Sequence, residues 1–174
     1  MLHCEKIHFN FFMKVLFIQT GGTIDKDYPK RNNGYAFEID QPAAERILAR
    51  AELAFEYKVV SLFKKDSLDL TDEDRNEIKA YCQRSDFSKI IITHGSDTLV
   101  ETAKAIGNIK NKTIILTASY RPERFANSDA DFNLGTAIGA LNTKAEGTFI
   151  AMNGIILDPA HARKNPETGR FESF

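Results

Sequence analysis

Apolar residues fall along this chain in short runs separated by amphipathic stretches, the pattern of strands alternating with helices. Val15–Gln19 is a compact run of β-branched and large apolar side chains, as a strand buried on both faces requires. Tyr57–Phe63, Lys89–Thr93, Thr113–Thr117 and Thr148–Met152 repeat that pattern, and Ile155–Leu157 reads as a short additional strand. Between these runs the period lengthens. Pro42 stands at the first turn of a predicted helix, with Ala43, Ile47 and Ala51 stepping along one face. Thr71, followed three residues later by Asp74, opens a second helix in the manner of a capping box, continued by Ile78, Tyr81 and Cys82. Thr98–Gly107, with Leu99, Ala103 and Ile106 turned inward, and Phe132–Thr143 complete the helices. Asp25–Tyr35 is polar, weakly periodic and carries Pro29, Asn32, Asn33 and Gly34, so a mobile loop is predicted there.

Strand-then-helix alternation predicts a doubly wound, three-layer α/β sandwich with a mostly parallel central sheet, flavodoxin- or Rossmann-like. Residues 13–174 read as a single domain. Met13 stands at the mouth of the first strand, which makes residues 1–12 an N-terminal extension of that domain. Ligands in such folds bind beyond the carboxyl ends of the strands. Functional side chains are therefore expected just after residues 19, 63, 93, 117 and 152.

Composition narrows the partners. The 174 residues are 43% hydrophobic and 27% charged, with a formal net charge of −1. That balance gives no basic field for nucleic acid and no polybasic patch for an anionic membrane. The apolar run Phe9–Ile18 is interrupted by Lys14 and falls short of the ~20 residues of a membrane span. It also lacks a small-residue cleavage site, so a cytoplasmic protein is expected. Cys4 and Cys82 fit no metal-ligand or CxxC spacing and read as free thiols, while His3 and His8 have no carboxylate at ligand spacing. No metal and no cofactor are expected.

Two strand ends carry concentrated chemistry. After the first strand comes Thr20-Gly21-Gly22-Thr23-Ile24, where paired glycines allow a tight turn and close backbone approach before a threonine hydroxyl. Alone, this reads more simply as a Gly-Gly turn with a capping threonine. After the third strand comes Thr93-His94-Gly95-Ser96-Asp97-Thr98. Capping of the following helix accounts for Ser96 or Asp97, but not for so many polar groups in succession. His94 reads best as a buried, hydrogen-bonded histidine.

Together, TGGTI and ITHGSDTLVETA resemble the paired signature of the asparaginase/glutaminase amidohydrolases. Ala118-Ser119-Tyr120-Arg121-Pro122, Ser128-Asp129-Ala130-Asp131-Phe132-Asn133-Leu134, and Met152-Asn153 followed by Lys164 extend the resemblance over nearly the whole chain. The resemblance implies the N-terminal catalytic domain of that family and hydrolysis of the side-chain amide of asparagine or a similar small amide, releasing ammonia. It places Thr23 as nucleophile. It places Tyr35 as the loop tyrosine beside it, with Tyr28 as the alternative. Ser96, Asp97 and Lys164 match the second catalytic group, Asp97 also binding the substrate ammonium. Ser67 matches a serine that contacts the substrate carboxylate. Gly22, Gly95 and Ser119 join the binding set, with backbone N–H groups around Gly22, Gly95 and Ser96 facing the oxyanion.

The pattern departs from the family in three places. Ser96 stands where most members have threonine, and Leu68 where many have a polar residue. Members usually carry a second domain that supplies an acidic ligand to a neighbouring subunit; here a partner, a homodimer contact or nothing is expected in its place. Two other readings stay open: a catalytically weak amino-acid-binding domain, and a subunit of an amidotransferase.

Overall fold

A computed structural model of the protein describes residues 13–28 and 36–174. Six strands form the central sheet: β1 (Lys14–Gly21), β4 (Glu56–Lys65), β5 (Lys89–Thr93), β6 (Thr113–Thr117), β7 (Gly147–Met152) and β8 (Ile155–Leu157). Their spatial order is β4-β1-β5-β6-β7-β8. All neighbours are parallel except β7 and β8, which pair antiparallel. Short hairpins pair β2 (Lys26–Asp27) with β3 (Glu38–Ile39) and β9 (Ala162–Lys164) with β10 (Phe171–Ser173).

Alternation along β5 shows how the layers form. Ile90 and Ile92 face one cluster, shared with Ile78 and Cys82 of α2 (Asp72–Arg84) and Leu99, Ala103 and Ile106 of α3 (Leu99–Ile106). Ile91 faces the other, shared with Ala43, Ile47 and Leu48 of α1 (Ala43–Ala49) and Leu134, Ala137 and Leu141 of α4 (Ala130–Thr143). The sandwich is therefore three-layered, as the sequence pattern predicts. Each fully buried isoleucine stabilises it by roughly 1.5–3 kcal/mol.

Several details differ from expectation. The second strand lies at the edge of the sheet, and most of its side chains stay partly or fully exposed. Helix α1 ends at Ala49, because Ala51 is already exposed beyond its last turn. Helix α4 begins two residues before Phe132. Of the segment predicted as a mobile loop, residues 29–35 lie outside the described residues, and its first part forms regular elements. Asp25 closes a 3-10 turn over Thr23–Asp25, and Lys26–Asp27 is held in the β2–β3 hairpin. The predicted capping box is present at Thr71 and Asp74. No helix among the described residues is long and apolar enough to cross a membrane. Cys4, His3 and His8 lie outside the described residues.

Counting only the strands joined by helices, the order is the flavodoxin-like 2-1-3-4-5. Its chain reversal falls between β1 and β5. Connections leave these two strands in opposite directions there, opening a crevice at their carboxyl ends. Both chemically loaded loops emerge into that crevice.

Candidate active site

Three loops meet at the end of β1. Gly21 and Gly22 adopt φ of +112° and +88°, left-handed values that glycine tolerates best. The Gly22 N–H donates to the Lys65 carbonyl at 3.1 Å, tying the turn to the end of β4. A Cβ on Gly22 would lie 2.4 Å from both N and Cα of Gly95, so the two loop backbones are in direct contact. A Cβ on Gly95 would in turn lie 2.5 Å from Ser67 Oγ. Ser67 sits in a 3-10 turn (Ser67–Asp69) and is buried, with its hydroxyl oxygen unpartnered. Thr98 Oγ1 donates to the Ser67 carbonyl at 2.7 Å and locks this turn to the start of α3. Thr23, half-buried, opens its own turn directly beside this contact.

Lys164 reaches the same loops from far along the chain. Its Nζ donates to Ser96 Oγ at 3.0 Å and to Asp97 Oδ1 at 2.7 Å. The β9–β10 hairpin holds it there, anchored in the core by Ala162 and Phe171, which are almost fully buried. Asn153 Oδ1 accepts from the Phe171 N–H and the Tyr120 hydroxyl, both at 3.0 Å. The Tyr120 ring lies 5.8 Å from Lys164 Nζ, within cation–π range. Asp97 and Lys164 also line an open groove of about 650 Å³, together with Glu101, Lys104 and Asn165.

His94, at the end of β5, is fully buried and structural. Its Nδ1 faces the Gly95 carbonyl at 2.8 Å. A carbonyl only accepts, so Nδ1 carries the proton and Nε2 accepts from the Thr102 hydroxyl at 2.9 Å. Burial pushes its pKa down to about 4, with the Arg75 charge adding to the effect and the Gly95 carbonyl opposing it. The ring stays neutral and hydrogen-bonded on both sides, as the sequence suggests. No group of three His, Cys, Asp or Glu side chains among the described residues could hold a metal ion. Cys82 is buried in the core, which raises its pKa to about 12 and makes it inert.

The family model described as "Asparaginase, N-terminal" matches residues 14–174. The chain belongs to this asparaginase family. It is 28% identical over 177 residues to a glutaminase-asparaginase of Pseudomonas aeruginosa, a match covering 91% of this chain and 48% of that protein. It is 34% identical over 155 residues to an L-asparaginase of Thermococcus kodakarensis, covering 83% of this chain and 46% of the relative. The solved structure of the thermostable L-asparaginase from Thermococcus kodakarensis is similar with a TM-score of 0.78 at 28% identity. That match covers 92% of this chain and 51% of the other. The chain thus spans about half the length of the relatives it matches.

Measured against the residues expected of an asparaginase-family domain, the structure groups most of them. Gly22, Ser67 and Gly95 form the three-loop contact, and Ser96, Asp97 and Lys164 form the hydrogen-bonded group beside it. Tyr35 lies outside the described residues. Tyr28, the alternative, is exposed and packs against Phe37 in a tilted arrangement with ring centroids 4.8 Å apart. Ser119 is buried, and its hydroxyl donates to the Arg121 carbonyl at 2.5 Å, so it shapes the loop after β6. Among the backbone N–H groups around Gly22 expected to face an oxyanion, that of Gly22 itself donates to the Lys65 carbonyl. Leu68 points to solvent, 71% exposed. Sequence reasoning missed the hairpin that carries Lys164. Its signal was present in Asn165-Pro166-Glu167-Thr168-Gly169, a run of turn formers between two short β segments.

Proposed function

We propose that this domain is an amidohydrolase that cleaves the side-chain amide of asparagine or a similar small primary amide, with Thr23 as nucleophile. The observation that carries the reading is the Lys164 ammonium bridging Ser96 and Asp97 beside the turn that presents Thr23. A neutral hydroxyl needs a proton acceptor to attack an amide. In the proposed reaction Thr23 Oγ1 bonds to the amide carbon and gives up its proton to a base. Tyr35 is the base assigned beside the nucleophile. The amide nitrogen takes a proton and leaves as ammonia, and water then cleaves the Thr23 ester to release the acid. Ser96, Asp97 and Lys164 form the second group facing the substrate, positioned to pass the proton of that water. Asp97 is also assigned to the substrate ammonium, a role for which its exposed carboxylate remains open on the side away from Lys164. Ser67 is assigned to the substrate carboxylate.

Ammonia release from L-asparagine tests the reading directly. The parent protein is expected to turn it over, and Thr23→Ala to lose activity by more than the ~10²–10³-fold typical of losing one oxyanion donor. Aspartate or asparagine bound by parent and Thr23→Ala alike, without ammonia release by either, would make the domain an amino-acid binder instead.

A further inference from the structure

Asp25, two residues beyond Thr23, is fully buried. Its Oδ1 accepts from the Ala43 N–H at 2.7 Å. It thereby caps α1 from a distance, since Pro42, at the N-cap, makes no side-chain bond to the helix. Its other oxygen, Oδ2, is buried without a partner. Gln19, on β1, lies against the same carboxyl. Gln19 Nε2 donates to the Asp40 carbonyl at 2.8 Å. That bond fixes the amide's orientation, because flipping it would set two carbonyl oxygens against each other. Gln19 Oε1 is then also a buried acceptor without a donor. Each of these two contacting residues thus holds a buried acceptor without a hydrogen, an expensive arrangement to leave unmade.

We propose that Asp25 is held as a neutral acid whose Oδ2–H donates to Gln19 Oε1, and that it is a positioning residue for Thr23. One oxygen fastens the Thr23–Asp25 turn to β1 and the other fastens it to α1. The positioning role rests on the amidohydrolase reading above; the placement of the proton does not.

The surroundings agree with the neutral form. Burial pushes the Asp25 pKa up to about 7; the Ala43 N–H, Gln19, the Arg46 charge and Thr93 oppose that rise without reversing it. Arg46 of α1 has its charge offset by Glu123, 2.6 Å away. The Asp40 carboxylate faces Lys64 at 3.7 Å. The Glu123 N–H binds the carbonyl of Ile24, on the neighbouring residue of the turn. Gln19 and Thr93, from β1 and β5, are uncharged.

Asp25→Asn keeps the shape and supplies an N–H where the acid's proton stands, whereas Asp25→Ala removes both bonds. The carboxyl carbon of Asp25, followed by 13C NMR, is expected to titrate above pH ~6 rather than near the ordinary ~4. The melting temperature of Asp25→Asn relative to the parent is expected to rise as pH increases from ~4 to ~7, because only the parent resists losing a buried proton. Asp25→Ala is expected to melt well below both. With asparagine as substrate, Asp25→Ala is expected to lose about tenfold or more in kcat with little change in KM, and Asp25→Asn to keep the parental kcat. An ordinary carboxylate titration, or Asp25→Asn melting as low as Asp25→Ala, overturns the neutral acid. Parental kcat in Asp25→Ala overturns the positioning role. A parent that releases no ammonia overturns the amidohydrolase reading and with it the positioning role, while the NMR and melting results still decide where the proton lies.

Discussion

Gly22 makes the site's geometry depend on one missing methyl group. Its φ of +88° strains any other residue, and its α-carbon faces the Gly95 backbone, which has no flexible end to swing away. Gly22→Ala is expected to cost about 2–4 kcal/mol in denaturant unfolding, summing backbone strain and overpacking. It should also separate the Thr23 turn from the Ser96–Asp97 loop, so its residual ammonia release should fall further than its stability explains. Residue identity was legible here, because consecutive glycines at a strand end already signal close backbone approach. Asp25 was not. A lone aspartate in a polar stretch reads as a loop residue, and only its enclosure by β1, β5 and α1 makes it a buried acid.

At the scale of elements, the β9–β10 hairpin is the part of the site that most depends on packing. It presents Lys164 to Ser96 and Asp97, 68 and 67 positions away in sequence, and Phe171 is its buried anchor. Phe171→Ala should destabilise by roughly 3–5 kcal/mol if the cavity stays open. Because the hairpin is peripheral to the main sheet, local release is the cheaper response. The expected result is faster amide hydrogen exchange over 162–173, nearly unchanged protection in β1 and β5, and loss of kcat. Uniform loss of protection across the sheet would show instead that the hairpin and the core unfold together. The central strands were readable from apolar runs of five residues or so, since such runs call for burial on both faces, whereas the mixed run of β4 stays partly exposed at the edge. The edge position of β4 and the antiparallel sense of β8 were not, because a run's composition does not name its neighbour.

For the whole molecule, stability against pH sums opposing buried groups. His94 is held neutral with its pKa lowered to about 4, so its contribution is present above ~6.5 and lost as pH falls from there towards ~4. Asp25 has its pKa raised to about 7, so its contribution is present below ~4 and lost as pH rises to ~7. Each is worth on the order of 3–4 kcal/mol over its window. They oppose each other, and the parent's melting temperature is expected to change little between pH ~5 and ~7. In Asp25→Asn only the histidine remains, and melting should fall steadily on acidification through that range. Below it, carboxylates with lowered pKa lose their stabilising charge: Asp74, hydrogen-bonded by Lys65, and Glu123, where Arg46 and Arg50 outweigh burial. A flat profile in Asp25→Asn would mean that the histidine does not titrate as its burial implies.

By itself the sequence determined the layered α/β plan, the strand ends that carry the polar loops, and the family signature around Thr23 and Ser96–Asp97. These are local properties: periodicity, turn chemistry and short motifs are fixed by residues within a few positions of one another. Tertiary structure alone decided which ends face each other across the crevice between β1 and β5, that Lys164 closes on Ser96 and Asp97, and that Asp25 and Gln19 share a sealed interior. Those outcomes depend on contacts between segments distant in sequence, where burial changes what a side chain's charge and hydrogen bonds cost.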